Sequence, residues 1–205
     1  MAVSKFQPVE YLLRAYRAGQ RCFGENRPQE MALKIPQMGS DVQWHFIGHL
    51  QTNKVKQVVG AACLIHSIDS EHLLRAVSAR AAELGITQDV LLQMHIAAEQ
   101  TKQGFSAEEL YAVAAQQWPN IRLCGLMGMA TFTDDTVRVS REFRSLRCFF
   151  DKLKTQLFSD RDYFACCSMG MSGDYRIAVE EGSTMVRIGS AIFPPRPQRQ
   201  DGPVR

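Results

Sequence analysis

The stretch "SMGMSGDYRIAVEEGSTMVRIGSAIF", residues 168–193, contains two clusters of small residues on either side of a short helical pattern. Each cluster comes at the end of an apolar run, where a strand is expected to finish. The helical pattern between them ends at Gly182, and glycine commonly ends helices. We interpret the stretch as strand, helix and strand, the unit from which parallel sheets are built.

The same alternation extends outward through the rest of the chain. The apolar runs are continuous rather than alternating, which predicts strands buried on both faces. Strands that alternate with helices predict parallel pairing through right-handed crossovers. Eight such units in one domain favour a single α/β (β/α)8 TIM barrel over an open doubly wound sheet. The predicted strands cover residues 2–5, 22–25, 44–48, 64–68, 90–97, 123–129, 163–169 and 185–193.

Helix boundaries are marked by recognisable residues. Pro8 and Gly19 bracket the first helical pattern, as expected for a helix start and stop. Ser70 and Gly85 bracket another, and Ser106 with a glutamate three residues later forms a capping box. A longer amphipathic helix is predicted over residues 137–157.

Composition narrows the class of protein. The 205 residues carry a net charge of +3 and 45% apolar residues. The charges are scattered, which argues against a nucleic-acid partner, and no run approaches the roughly 18 apolar residues of a membrane span. No secretory signal is evident. The six cysteines form no CxxC pair, so we expect free thiols and a cytoplasmic location.

The chain is expected to divide into a barrel over residues 1–193 and a flexible tail over residues 194–205. The tail is basic and rich in proline, as chain ends often are. No helix is predicted before the first strand, so we expect the lower end of the barrel to be poorly covered.

A barrel of this kind places function at the carboxyl ends of its strands. Lys5 ends the first predicted strand, and desolvation there would lower its pKa and favour a nucleophilic amine. A solvated lysine beside the amino terminus is the alternative. The loops after strands seven and eight are the habitual phosphate site of this fold, which points to Ser168 and to Gly189 with Ser190.

Arg187 lies two residues before Gly189, so both share the face of strand eight that points into the barrel. A buried arginine needs a partner. That partner is either a carboxylate such as Glu25 or an atom of a ligand.

Several histidines invite a metal interpretation, but we expect no metal site. His45 and His49 lie on a stretch that is not helical, and carboxylate or cysteine partners at ligand spacing are missing.

These residues also carry a resemblance to a known family. The chain resembles the pyridoxal phosphate homeostasis proteins, whose barrel is similar to the alanine racemase N-terminal domain. In that family a helix precedes strand one, and it is absent from this sequence. The matching stretches are "AVSK" (2–5), "GQRCFGEN" (19–26), "QE" (29–30), "WHFIGHLQTNK" (44–54), "IHSID" (65–69), "GLMGMA" (125–130) and residues 168–193.

The resemblance implies pyridoxal 5′-phosphate (PLP) as cofactor, held by Lys5 as a Schiff base. It implies phosphate contacts from Ser168 and from the amides of Gly189 and Ser190, and it places Arg187 toward the pyridine nitrogen. Further cofactor contacts are expected from residues at the ends of other strands, namely Asn26, Ser67, Met127 and Met169.

Three functions follow from these expectations. The first is a carrier that buffers or delivers PLP within the cell, with indirect effects on amino-acid metabolism and with apo PLP enzymes as recipients. A permanently charged guanidinium at the pyridine nitrogen would stabilise carbanions poorly, which favours this function over catalysis. We expect a monomer, with a weak dimer as the alternative.

The second function is an amino-acid racemase. The resemblance implies that racemases of this fold add a second β domain and a tyrosine base from a partner subunit, and Tyr163 and Tyr175 are the tyrosines nearest the rim. The third is a phosphate-binding barrel enzyme without PLP, for which Glu25 and Glu99 are the candidate bases.

Overall fold

The structure is a computed structural model that describes residues 1–97 and 103–195. Its eight strands are all parallel and follow one another in chain order around the sheet. They are β1 (Ala2–Val3), β2 (Cys22–Glu25), β3 (Gln43–Phe46), β4 (Leu64–Ile68), β5 (Gln88–Gln93), β6 (Ile121–Met127), β7 (Cys166–Met171) and β8 (Met185–Arg187).

The first and last strands close the ring. Ala2 bridges Ile188 in parallel, and the amide of Val3 donates to the carbonyl of Ile188 at 2.7 Å. The amide of Ile188 donates in turn to the carbonyl of Met1 at 3.1 Å. The predicted (β/α)8 barrel is therefore confirmed.

Helices connect successive strands on the outside of the barrel. They are α1 (Val9–Arg17), α2 (Pro28–Lys34), α3 (Val55–Val58), α4 (Glu71–Glu83), α5 (Ala107–Ala114), α6 (Thr136–Gln156) and α7 (Tyr175–Glu180), with 3-10 turns at Ile35–Gln37 and Thr52–Lys54. The Ser70 hydroxyl caps α4, and the Ser106 capping box opens α5, both as predicted. No described helix combines the length and the apolar character needed to cross a membrane.

Alternate residues of each strand serve two different cores. Ile65, Leu92 and Leu126 belong to the large apolar layer between the sheet and the helices. A smaller cluster packs in the barrel interior: Leu64, Leu91, Cys124 and Met127. Polar residues on that inner face include His45, His66, Ser168 and Arg187, all at most 5% exposed.

Five of the eight predicted strands run too far. The third stops at Phe46 and the sixth at Met127, each two residues before its predicted end. The first stops at Val3 and not at residue 5, because Ser4 begins a turn in which the Gln7 amide donates to the Ser4 carbonyl. The last stops at Arg187, since the amides of Ile192 and Phe193 both donate to Gly189. The fifth ends at Gln93 instead of residue 97. The affected residues belong to the rim, where loops replace sheet.

Candidate functional site

A cavity of about 480 Å³ opens at the carboxyl ends of β1, β2 and β8. Five predicted residues line it: Lys5, Asn26, Arg187, Gly189 and Ser190. The remaining lining comes from Val3, Gln7, Ile47, Met129, Phe132, Met171, Ser172, Gly173, Pro194 and Pro195. Two cationic side chains and no acidic one face this cavity among the described residues, so the cavity favours an anionic ligand.

The backbone on both sides of Lys5 is held by charged groups. The Ser4 hydroxyl donates to Oε1 of Glu25 at 2.6 Å, and the Lys34 ammonium donates to the Ser4 carbonyl at 2.9 Å. The Phe6 amide donates to Oε2 of Glu30 at 2.8 Å. Phe6 adopts a φ of 63°, a left-handed conformation that is unusual for an aromatic residue. These contacts fix the turn that carries Lys5 into the cavity.

Glu25 and Lys34 form a buried ion pair behind this turn. Their charged atoms lie 2.7 Å apart, and the two side chains are 0% and 8% exposed. Burial raises the pKa of Glu25, and the neighbouring ammonium opposes that rise. The predicted alternatives in which Glu25 pairs with Arg187 or acts as a base in the cavity are wrong. Strand alternation turns Glu25 outward to helix α2, while Asn26 beside it reaches the cavity.

Asn26 is placed by a close approach between two strand ends. A Cβ at Gly48 would lie 2.1 Å from the Asn26 carbonyl oxygen. Only glycine permits this spacing, because any side chain would collide with backbone. The "GEN" and "FIGH" stretches therefore meet at the rim.

Arg187 projects into the barrel from β8, as predicted. Its Nη1 donates to the carbonyl and to the hydroxyl of Ser168, both at 2.8 Å, and Nη2 donates to the Gly128 carbonyl at 2.9 Å. These partners are all neutral. Burial lowers the pKa of Arg187 to about 10, so the guanidinium is still charged at neutral pH.

The loops after β7 and β8 meet at the cavity. The Gly189 amide donates to the Ser172 hydroxyl at 3.1 Å, and Gly173 and Ser190 lie beside them. Gly170 allows β7 to approach α7, since a Cβ there would lie 2.5 Å from that of Ala178 and its φ is +93°. Small side chains leave backbone donors close to the cavity surface, an arrangement that suits a phosphate.

Four predicted contact residues do not line the cavity. Ser67 and Met127 are 1% exposed, and Ser168 and Met169 are 0% exposed. The Ser67 hydroxyl donates to the Gly48 carbonyl, and the Ser168 hydroxyl contacts Arg187 and His66. Ser168 is therefore placed to act on the cavity through Arg187.

Further lining residues lie beside the predicted contacts, and one comes from a distant part of the chain. Met129 lies two residues after Met127, on the same side of the chain, and replaces it at the surface. Ser172 stands four residues after Ser168 in the same glycine-rich cluster. Gln7 joins the cavity through its amide, which donates to the Pro194 carbonyl at 3.2 Å. That contact spans almost the whole chain, so no local pattern could have revealed it.

Some predictions fall outside the described residues. Glu99 lies in the gap at residues 98–102, and most of the predicted tail lies within residues 196–205. Pro194 and Pro195, the first two residues of that tail, belong to the cavity wall.

The tyrosines considered for a racemase are described and lie elsewhere. Tyr175 begins α7, Tyr163 precedes β7, and neither lines the cavity. Within the described chain, no group of three or more histidine, cysteine or acidic side chains is arranged to hold a metal.

Comparison with known proteins places the chain in a family. The family model described as "Alanine racemase, N-terminal domain" matches residues 1–197. Pyridoxal phosphate homeostasis proteins of Aquifex aeolicus and Schizosaccharomyces pombe are 38% and 37% identical over 199 and 209 residues. Those matches cover 94% and 100% of this chain and 85% and 86% of the relatives.

Solved structures agree with the sequence relatives. PipY of Synechococcus elongatus without PLP gives a TM-score of 0.88 at 35% identity, covering 94% of this chain and 90% of that one. PipY with PLP bound gives 0.83 at 33% identity, covering 94% and 91%. An alanine racemase of Clostridium difficile gives 0.73 at 16% identity and is covered over 52% of its length, which shows a shared barrel fold. The chain therefore belongs to the family of pyridoxal phosphate homeostasis proteins.

Proposed function

We propose that this protein binds pyridoxal 5′-phosphate in the cavity at the carboxyl ends of its strands and takes part in PLP homeostasis. The observation that carries the proposal is the pairing of Lys5 and Arg187 in an acid-free cavity beside the β7 and β8 loops. The relative PipY, which shares the fold at 33% identity, has a structure described as having PLP bound.

The residues of the cavity suit this cofactor. When bound, PLP would supply an aldehyde that is reactive toward an amine and a phosphate that carries negative charge. Lys5 provides the amine. Gly189, Ser190 and the hydroxyl of Ser172 would provide polar groups for the phosphate, and Arg187 would present a positive charge to the cofactor.

The side chains that line the cavity support a carrier role over a racemase. Apart from Lys5, the described lining residues include no aspartate, glutamate, histidine or tyrosine to move a second proton. Arg187 is a poor proton source because its pKa stays near 10. We infer that the protein buffers PLP and passes it to apo enzymes that use it, with indirect effects on amino-acid metabolism.

The compartment of this role follows from the cysteines. All six are free, which supports a reducing compartment and hence a cytoplasmic location. We also propose a monomer as the working unit, with a weak dimer as the alternative. A sedimentation measurement with PLP present would test this, and a dimer would contradict it.

An absorbance titration tests the proposed function. We expect the wild-type protein to develop a visible band on addition of PLP, and Lys5→Ala to develop none. Lys56→Ala is the matched control, since Lys56 is exposed and far along the chain on α3, and it should behave as wild type. A wild type without a band would refute PLP binding through Lys5. Racemase assays on the loaded protein would then separate carrier from catalyst.

A further inference from the structure

A chain of hydrogen bonds crosses the barrel interior behind Arg187. The Ser168 hydroxyl lies 2.8 Å from Nη1 of Arg187 and 3.1 Å from Nδ1 of His66. Nε2 of His66 lies 2.9 Å from Nδ1 of His45, and Nε2 of His45 lies 3.3 Å from the Cys22 sulfur. The chain joins β8, β7, β4, β3 and β2, and the function proposed above uses only its first member.

The direction of these hydrogen bonds follows from the arginine. A guanidinium can only donate, so the Ser168 oxygen accepts from Arg187. The Ser168 hydroxyl has one other partner, His66, and donates a hydrogen bond to Nδ1 of that ring. The hydrogen of His66 then lies on Nε2 and is donated to His45. By the same logic His45 also carries its hydrogen on Nε2 and donates to Cys22.

Both rings are held in the neutral form by their surroundings. His66 is fully buried, and burial, His45 and Arg187 together lower its pKa well below 6.5. Burial lowers the pKa of His45 to about 4. A neutral His66 has an unprotonated Nδ1, which is what the Ser168 hydroxyl requires.

We propose that His66, supported by His45, is a positioning residue that orients Ser168 and thereby aims the charged guanidinium of Arg187 at the cavity. Because Nδ1 of His66 accepts the hydrogen bond of the Ser168 hydroxyl, the lone pairs of that oxygen stay turned to Arg187. Without this acceptor the hydroxyl would turn its hydrogen elsewhere, and Arg187 would lose one of three anchoring contacts. The proposal rests on PLP binding in the same cavity.

The first test reads the apo protein and needs no cofactor. In wild type, nitrogen-15 NMR should find both imidazoles with hydrogen on Nε2, and the Arg187 guanidinium hydrogens should exchange slowly with solvent. His66→Leu should speed that exchange by about tenfold, the size expected for one lost buried hydrogen bond. His66→Asn keeps an oxygen near the position of Nδ1 and should restore slow exchange.

The second test reads PLP affinity in the same variants. His66→Leu should weaken binding by about tenfold, and His66→Asn should stay within about threefold of wild type. His72→Leu is the matched control, because His72 is exposed on α4, and it should change neither readout.

The outcomes separate this inference from the proposed function. An ordered guanidinium in a protein that binds no PLP would refute the function and leave the positioning intact. A hydrogen on Nδ1 of His66 in the wild type would overturn the inference, and that measurement does not depend on any variant folding. Equal affinity and equal exchange in wild type and His66→Leu would overturn it as well.

Discussion

The cavity has two cationic sides, a charged wall around Lys5 and a neutral wall around Arg187. They are named for the groups that hold each side in place. On the Lys5 side, charged groups fix the turn: Lys34 and Glu30 bind its backbone, and Glu25 accepts from the Ser4 hydroxyl. On the Arg187 side, the anchoring groups are neutral oxygens and glycine-rich backbone. We infer that the two walls have different roles. The charged wall holds the Lys5 amine in place, and the neutral wall leaves the charge of Arg187 available to an anion.

Removing a charge from the charged wall should have the largest effect on stability. Lys34→Met removes the partner of a fully buried carboxylate, and we expect a loss of about 3–5 kcal/mol in the free energy of unfolding. Denaturation in urea measures this.

A double variant sharpens that result. Glu25→Gln with Lys34→Met removes both charges and should recover most of the stability, because no unpaired charge is left. Equal stability of Lys34→Met and wild type would contradict the charged-wall account.

The next largest effect is expected on acidification, which should lower stability through the buried imidazoles behind Arg187. The pKa of His45 is 6.5 in its ordinary state and about 4 in the fold, so the unfolded chain binds the extra proton first as pH falls. The contribution of each buried imidazole to the free energy of unfolding is complete above pH 6.5. It declines toward pH 4 by about 1.4 kcal/mol per pH unit. Unfolding measured at several pH values should show this slope.

The matched variants for the pH prediction are His45→Asn and His72→Asn. The first should reduce the slope by about 1.4 kcal/mol per pH unit, because only His66 then contributes, and the second should keep it. The raised pKa of Glu25 gives a slope of opposite sign, but it is common to all three proteins and cancels in the comparison. Identical slopes in wild type and His45→Asn would show that the pair does not titrate as described.

The smallest effect concerns the backbone of the neutral wall. Gly170→Ala should cost about 1–3 kcal/mol, because its Cβ would press on Ala178 and its φ of +93° disfavours a side chain. Gly173→Ala is the control, since nothing lies within 4 Å of its Cβ, and it should stay within about 0.5 kcal/mol. Thermal unfolding would compare the two, and equal melting temperatures would refute the close-packing role of Gly170.

The contrast between the walls also shows how far sequence reasoning reaches. Strand and helix alternation predicted the barrel, and the barrel in turn predicted that Lys5, Asn26, Arg187, Gly189 and Ser190 meet at one rim. Local spacing did this because the carboxyl ends of parallel strands must converge.

The direction in which a side chain points was harder to predict than its position along a strand. Ser168 was expected at the cavity, but it points into the barrel beneath Arg187, and a register shift between Ser168 and Met171 brings Ser172 to the surface in its place. The contact between His45 and His66 depends on the register of two adjacent strands. The hydrogen bond from Lys34 to the Ser4 carbonyl joins residues thirty apart in the chain. Neither contact produces a periodic pattern in the sequence.

Borohydride reduction of the PLP-loaded protein, followed by peptide mapping, tests the central claim most directly. Lys34 is the internal comparison, because it lies near the same turn but is committed to an ion pair with Glu25. The account predicts that the pyridoxyl group is found on Lys5 and not on Lys34. A label on Lys34 or another lysine, or no label at all, would contradict it.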